Sequence, residues 1–213
     1  MIINMKNKVN NNSNTTNNNN RQHNVRIIGG MYKRSKIDVL NIDGLRPTPD
    51  RLRETIFNWL GDISDLNCLD MFAGSGAFGF ECLSRQAKYV LMLEKNKHIY
   101  NNLKSVQEKL KISNDNIDIM NADSLLYINN NRISKKFDLV FLDPPYASNL
   151  LELALPMVRS IISENGLIYI EDNKNLAGLN SDLGLDLISK NNLAIYKHTK
   201  MGQIYAYLLK SAL

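Results

Sequence analysis

From residue 66 onward the chain alternates short apolar runs with longer amphipathic stretches. Cys68–Phe72, Tyr89–Glu94, Ile117–Asn121, Leu139–Asp143 and Leu167–Glu171 are brief and densely apolar, and read as strands covered on both faces. Between them, residues 77–85, 96–111, 124–130 and 149–162 have helical spacing. The clearest places Ile99, Leu103, Val106 and Leu110 on one face. This alternation predicts an α/β fold with a parallel sheet and helices on both sides. The end of the chain departs from it. Leu193–Lys200, a Met201-Gly202 turn and Gln203–Leu209 predict a terminal hairpin, which adds one antiparallel strand.

Upstream the pattern is shorter. Val25–Ile28 and Ile37–Leu40 are extended candidates separated by Gly29-Gly30 and the basic Lys33, Arg34 and Lys36. Thr48 fits an N-cap and Pro49 the first position of a helix carrying Leu52, Ile56, Trp59 and Leu60 on one stripe. Gly61 fits just past its end. Residues 1 to about 24 are dominated by asparagine and hold too little apolar surface to offset ordering entropy, so they are expected to be disordered.

Two motifs fall at predicted strand ends. Val140-Phe141-Leu142 runs into Asp143-Pro144-Pro145-Tyr146, where two prolines must end the ladder. A fixed carboxylate, proline carbonyls and a flat ring suit a planar nucleobase whose exocyclic amine donates hydrogen bonds. The second motif is Asp70-Met71-Phe72-Ala73-Gly74-Ser75-Gly76-Ala77, between a strand and a helix. Its glycines permit a sharp turn and close approach to a ligand. Glu94 follows Gly74 by 20 residues, the spacing at which an acid meets ribose hydroxyls, and Asp123 ends the next strand beside a prospective adenine edge. The loop lacks the longer glycine fingerprint that seats a pyrophosphate and has no phosphate-loop lysine. Acids repel phosphates and suit a sulfonium and an amino group, so S-adenosylmethionine is the expected cofactor. Lys95 and Ser124 flank these acids, and with Asp70, Phe72, Ala73, Gly74, Ser75, Gly76, Glu94 and Asp123 complete the expected cofactor site. Both motifs open on the carboxyl edge of one sheet. An amine held by Asp143 and the Pro144 carbonyl, with Tyr146 stacked on its ring, is placed to attack a methyl carbon without a metal.

Asp-Pro-Pro-Tyr after a Val-Phe-Leu strand resembles the amino-methyltransferase signature, shared by enzymes acting on DNA adenine, RNA guanine and protein glutamine. Arg26-Ile27-Ile28-Gly29-Gly30, the run Gly44 to Leu60, and Leu69 to Gly76 are similar to the RsmD family of bacterial 16S ribosomal RNA guanine-N2 methyltransferases. The likeness extends from residue 25 nearly to the end. It implies the class I methyltransferase fold, Rossmann-like, with seven strands and the last antiparallel. It implies methyl transfer from S-adenosylmethionine to guanine N2, with 16S ribosomal RNA, the small subunit or its assembly intermediate as partner. Carried over by position, the loop around Gly74 and Gly76, Glu94 and Asp123 contact the cofactor, and Asp143 to Tyr146 hold the base. Phe78 stands where leucine is usual, and Gln86 where a glycine or small residue is common. The expected division is a leader over residues 1–24, a basic hairpin and helix over 25–61, and the catalytic domain over 62–213. A DNA adenine-N6 or cytosine-N4 enzyme is the first alternative, and a non-catalytic RNA-binding protein the second. The chain length leaves little room for the recognition insertion that a sequence-reading DNA enzyme needs.

Charge sharpens the RNA reading. Residues 1–60 hold ten Lys and Arg against four Asp and Glu, whereas residues 61–213 hold sixteen against seventeen. The positive excess therefore sits at the amino-terminal end, where a polyanion would be met. Arg26, Lys33, Arg34, Arg46, Arg51 and Arg53 are the expected RNA contacts. Tyr32 is placed either to stack on a base or to pack. Cys68 and Cys82 lie among apolar residues and read as buried thiols of a reducing compartment. No apolar stretch spans a bilayer and the amino terminus lacks a signal sequence's apolar segment, so a cytoplasmic location is expected; a monomer is the expected state.

Overall fold

A computed structural model describes residues 23–42, 47–130, 133, 135–146, 148–176 and 187–212. The leader through Gln22 and the expected RNA contact Arg46 lie outside the described residues. The hairpin begins slightly earlier than expected. β1 (His23–Arg26) pairs antiparallel with β2 (Lys36–Val39), so the hairpin takes in His23 and Asn24. α1 spans Asp50–Leu60, and Pro49 rather than Thr48 is its N-cap residue, with no side-chain cap. The Thr48 hydroxyl has gone to carboxylates at distant strand ends instead. Gly61 ends the helix as expected, its N–H donating to the Phe57 carbonyl at 3.1 Å.

The rest alternates as the apolar pattern predicts: β3 (Asn67–Asp70), α2 (Ala77–Ser84), β4 (Tyr89–Glu94), α3 (Lys97–Lys109), β5 (Ile117–Asn121), α4 (Ser124–Asn130), β6 (Phe137–Leu142), α5 (Leu150–Ile161), β7 (Ile162–Asp172), β8 (Leu193–Met201) and β9 (Ile204–Ser211). The seven-stranded sheet has the order β5-β4-β3-β6-β7-β9-β8. β3 pairs parallel with both β4 and β6. The final strand, β9, is antiparallel to its neighbours β7 and β8 and lies between them. This is the seven-stranded, mostly parallel sheet with an antiparallel last strand that the resemblance implies. The chain winds outward from β3 to β5, then returns to β6 on the other side. That reversal opens a crevice at the carboxyl ends of β3 and β6.

Burial on both faces explains why β6 is continuously apolar. Leu139 and Phe141 join one core with the hairpin, α1, α2 and α3, while Val140 and Leu142 join another with α4 and α5. Phe57, Phe78, Phe141 and Tyr169 form an aromatic cluster that ties α1 to the sheet, Phe78 stacking on Phe141 at 4.6 Å. Each buried phenylalanine contributes about 1.5–3 kcal/mol. The phenylalanine at position 78 thus serves packing. Gln86, the other departure, adopts a left-handed conformation (φ 69°), which explains why a glycine suits that position. Cys68 and Cys82 are both buried free thiols.

Glu81, fully buried on α2, fastens the hairpin. It accepts hydrogen bonds from Ile28 N (2.6 Å) and Gly29 N (2.8 Å), and from Arg85 Nε at 2.8 Å. Gly30 (φ 72°) lies so close to α2 that a Cβ would stand 1.8 Å from the Ser84 carbonyl oxygen. No helix among the described residues is long and apolar enough to cross a membrane.

Candidate active site

The carboxyl ends of β3, β4, β6 and β7 border a cavity of about 580 Å³. Its floor is the loop between β3 and α2. Gly74 (φ 50°) and Gly76 (φ 77°) are both left-handed. A Cβ on Gly76 would meet Leu103 at 2.6 Å, so that glycine lets the loop pack on α3. Asp70, Phe72, Ala73, Gly74, Ser75, Glu94, Lys95, Asp123 and Ser124 all border the cavity, whereas Gly76 stands behind it. Glu94 shapes the loop, accepting from Gly74 N at 3.0 Å and Asn96 N at 2.7 Å. Burial raises its pKa, against the pull of those N–H groups. Each of its oxygens keeps a lone pair for a further donor.

Asp70 is buried and accepts from Gly79 N at 3.1 Å. Burial pushes its pKa up to about 7, with the Glu94 charge adding to the rise. Asp123 behaves oppositely. Its hydrogen bond from Lys95 Nζ (3.0 Å) and the Leu126 N–H at the start of α4 lower its pKa. Asp123 is therefore ionised at neutral pH, and its side chain is 32% exposed. The Ser124 hydroxyl is committed to the Met71 carbonyl and holds α4 against the loop.

Asp143, Pro144, Pro145 and Tyr146 follow β6 directly and face the same cavity. The structure adds two residues that sequence reasoning missed. Glu171, at the tip of β7, accepts from the hydroxyls of Tyr169 (2.7 Å), Thr48 (2.8 Å) and Tyr146 (3.2 Å). The Thr48 oxygen also lies 3.3 Å from Asp143 Oδ2. Burial raises the pKa of Asp143 well above the carboxylate range, and the charges of Glu171 and Asp70 raise it further. Burial likewise raises Glu171, against the three hydroxyl donors. The signal for Glu171 was available: β6 and β7 are parallel neighbours with Leu142 opposite Ile170, so the acids that follow fall side by side.

Among the expected RNA contacts, Lys33, Arg34 and Arg51 are exposed. Arg26 is exposed and pairs with Asp50 at 2.9 Å. Arg53 corrects the expectation. It is fully buried on α1, donating to Asp50 Oδ1 (2.7 Å), the Arg26 carbonyl (2.8 Å) and the Thr48 carbonyl (3.3 Å), with Glu81 at 3.9 Å. It joins the hairpin, the segment before α1 and α2 from inside, and cannot reach a phosphate. Tyr32 is half-buried and packs on the core. Trp59 does the same.

The family model described as "Conserved hypothetical protein 95" matches residues 25–209. The ribosomal RNA small subunit methyltransferase D of Haemophilus influenzae is 46% identical over 154 residues, covering 71% of this chain and 80% of that protein. The Escherichia coli protein of the same name is 39% identical over 150 residues, 69% of this chain and 74% of its own length. The solved structure of Haemophilus influenzae HI0767 is 36% identical and superposes with a TM-score of 0.71, covering 89% of this chain and 99% of that one. A match over nearly all of the described sheet, at these identities, shows that the chain belongs to the Conserved hypothetical protein 95 family, that of the ribosomal RNA small subunit methyltransferase D proteins.

Proposed function

We propose that this protein transfers a methyl group from S-adenosylmethionine to the exocyclic N2 of a guanine in 16S ribosomal RNA of the small subunit. The residues present suit that cofactor. Acids at Asp70, Glu94 and Asp123 offer acceptors for an amino group and ribose hydroxyls, and the apolar Phe72, Leu93, Ile99 and Leu125 offer walls for an adenine ring. A cavity so rich in carboxylates is a poor phosphate site. When bound, the cofactor supplies a methyl group on a positively charged sulfur.

The protein's own part is positioning and charge. The observation that carries the reading is that Asp143 and the two prolines share one cavity with the acid-lined glycine loop. Asp143 and the Pro144 carbonyl accept the amine hydrogens, drawing the nitrogen lone pair out of conjugation with the ring. Tyr146 stacks on the base, which must be unpaired or flipped to enter. Fixing the amine within reach of an electrophile removes much of the entropic barrier without a metal.

Asp143→Ala tests the assignment. Calorimetry with S-adenosylmethionine should give an affinity near that of the unaltered protein, because Asp143 belongs to the base side of the cavity. Methyl transfer to ribosomal RNA from cells lacking the gene should fall by roughly 10²–10³-fold, the scale for losing one preorganised polar partner. Unchanged transfer by the variant would overturn the pocket assignment.

A further inference from the structure

Thr48, Asp143 and Glu171 come from three separated segments and meet beside the cavity. The Thr48 oxygen is 2.8 Å from Glu171 Oε1 and 3.3 Å from Asp143 Oδ2. A hydroxyl has one hydrogen and cannot donate to two carboxylates at full strength. Were both acids ionised, one of these contacts would set oxygen against oxygen with no proton between. One added proton resolves this: Asp143 donates to the Thr48 oxygen, and Thr48 donates to Glu171. The asymmetry fits, because Glu171 also accepts from Tyr169 and Tyr146, a set of donors that favours its charged form. The titratable groups facing the pair are Asp70 from β3, Tyr169 from β7 and Tyr146 from the loop after β6. Asp70 opposes a second negative charge on Asp143.

Resting on the functional reading above, we infer that Asp143 and Glu171 form one proton-sharing pair bridged by the Thr48 hydroxyl, in which Glu171 takes up the proton that Asp143 must give up to accept the amine. As the base enters, the Asp143 proton passes to Thr48 while the Thr48 proton passes to Glu171. Asp143 is then a carboxylate and accepts an amine N–H. The nitrogen lone pair forms the N–C bond as the C–S bond breaks, and sulfur keeps that electron pair. The methylated nitrogen, now carrying an extra proton and a positive charge, gives that proton to Asp143. The pair holds two protons after turnover and releases one to solvent with the product. Asp143 is the catalytic group, and Thr48 and Glu171 are positioning residues.

Glu171→Gln keeps the shape of the side chain and removes its charge. In the unliganded protein with carboxyl-¹³C aspartate, Asp143 is identified by the resonance lost in Asp143→Asn. We expect Asp143 to titrate above the ordinary carboxylate range, and at least one pH unit lower in Glu171→Gln. Identical titration in the two proteins would overturn the pair. In single-turnover transfer to small-subunit RNA from cells lacking the gene, Glu171→Gln should be at least tenfold slower, with the acid limb of its pH profile moved to lower pH. Thr48→Val should lose transfer to a similar extent and Thr48→Ser should restore it, with S-adenosylmethionine affinity unchanged throughout. Transfer by Thr48→Val at the unaltered rate would overturn the bridge. A purely structural role would lower the melting temperature and leave the Asp143 titration and the acid limb where they were. If the unaltered protein methylates no ribosomal RNA, the functional reading falls, and the titration in the unliganded protein still decides the pair.

Discussion

At the scale of residues, the acids of the crevice owe their behaviour to where their strands stop. Asp70 is buried behind the glycine loop with one N–H partner and a second acid nearby, so its neutral form is favoured. Its pKa of about 7 lies above the ordinary value of about 3.9 for an unfolded chain. A raised carboxyl pKa lets the folded state hold a proton that the unfolded state has lost. The stability it permits is full below pH 4 and declines as pH rises through 7. Asp70→Asn should therefore gain melting temperature relative to the unaltered protein between pH 5 and pH 8, and a constant difference across that range would contradict the assignment. Asp70, Glu94, Asp123 and Asp143 were legible because each follows an apolar run and adjoins glycines, prolines or a helix start. Thr48 was not, because its partners lie 95 and 123 residues away and its neighbour Pro49 offered a plausible local use as a cap. Arg53 was misread by residue type. Positions 53, 56, 57 and 60 lie on one helical face, and that face is turned inward, so the arginine is carried into the core with its partners.

At the scale of elements, strand and helix identities followed from the spacing of apolar positions, while boundaries depended on distant contacts. β7 begins at Ile162, earlier than the apolar run at Leu167, because Ile162 pairs with Phe137 across an irregular stretch of β6. The hairpin is fastened to α2 by Glu81, whose carboxylate takes two backbone N–H groups and faces Arg53 and Arg85. Glu81→Ala takes the acceptor from two backbone amides and from Arg85, and removes one of the two countercharges of buried Arg53, which keeps Asp50. It should cost about 3–5 kcal/mol in denaturant unfolding, the scale for breaking a buried pair from one side. A loss below 1 kcal/mol would show that the hairpin docks mainly through its apolar face. The same contacts reach the active site: Glu81 lies by Arg53, Arg53 donates to the Thr48 carbonyl, and the Thr48 hydroxyl meets the acids of β6 and β7. The amino-terminal segment that carries the exposed basic side chains thus also supplies Thr48, which meets the acids of the crevice.

At the scale of the molecule, the positive excess at the amino-terminal end and the acid-lined crevice divide the work. Lys33, Arg34 and Arg51 are exposed; under the proposed function they meet RNA phosphates, and each counterion released there steepens the dependence of binding on salt. Arg34→Glu with Arg51→Glu should weaken binding to small-subunit RNA most at low salt and flatten the salt slope by about two. S-adenosylmethionine affinity should be unchanged. Equal RNA affinity in the double variant would remove this face from the account. The measurement that bears most directly on the whole is transfer of a deuterated methyl group. The purified protein, deuterium-labelled S-adenosylmethionine and small-subunit RNA from cells lacking the gene are combined, and the RNA is digested to nucleosides for mass spectrometry. The account predicts the label in N2-methylguanosine alone; label in another nucleoside, or in none, would contradict it.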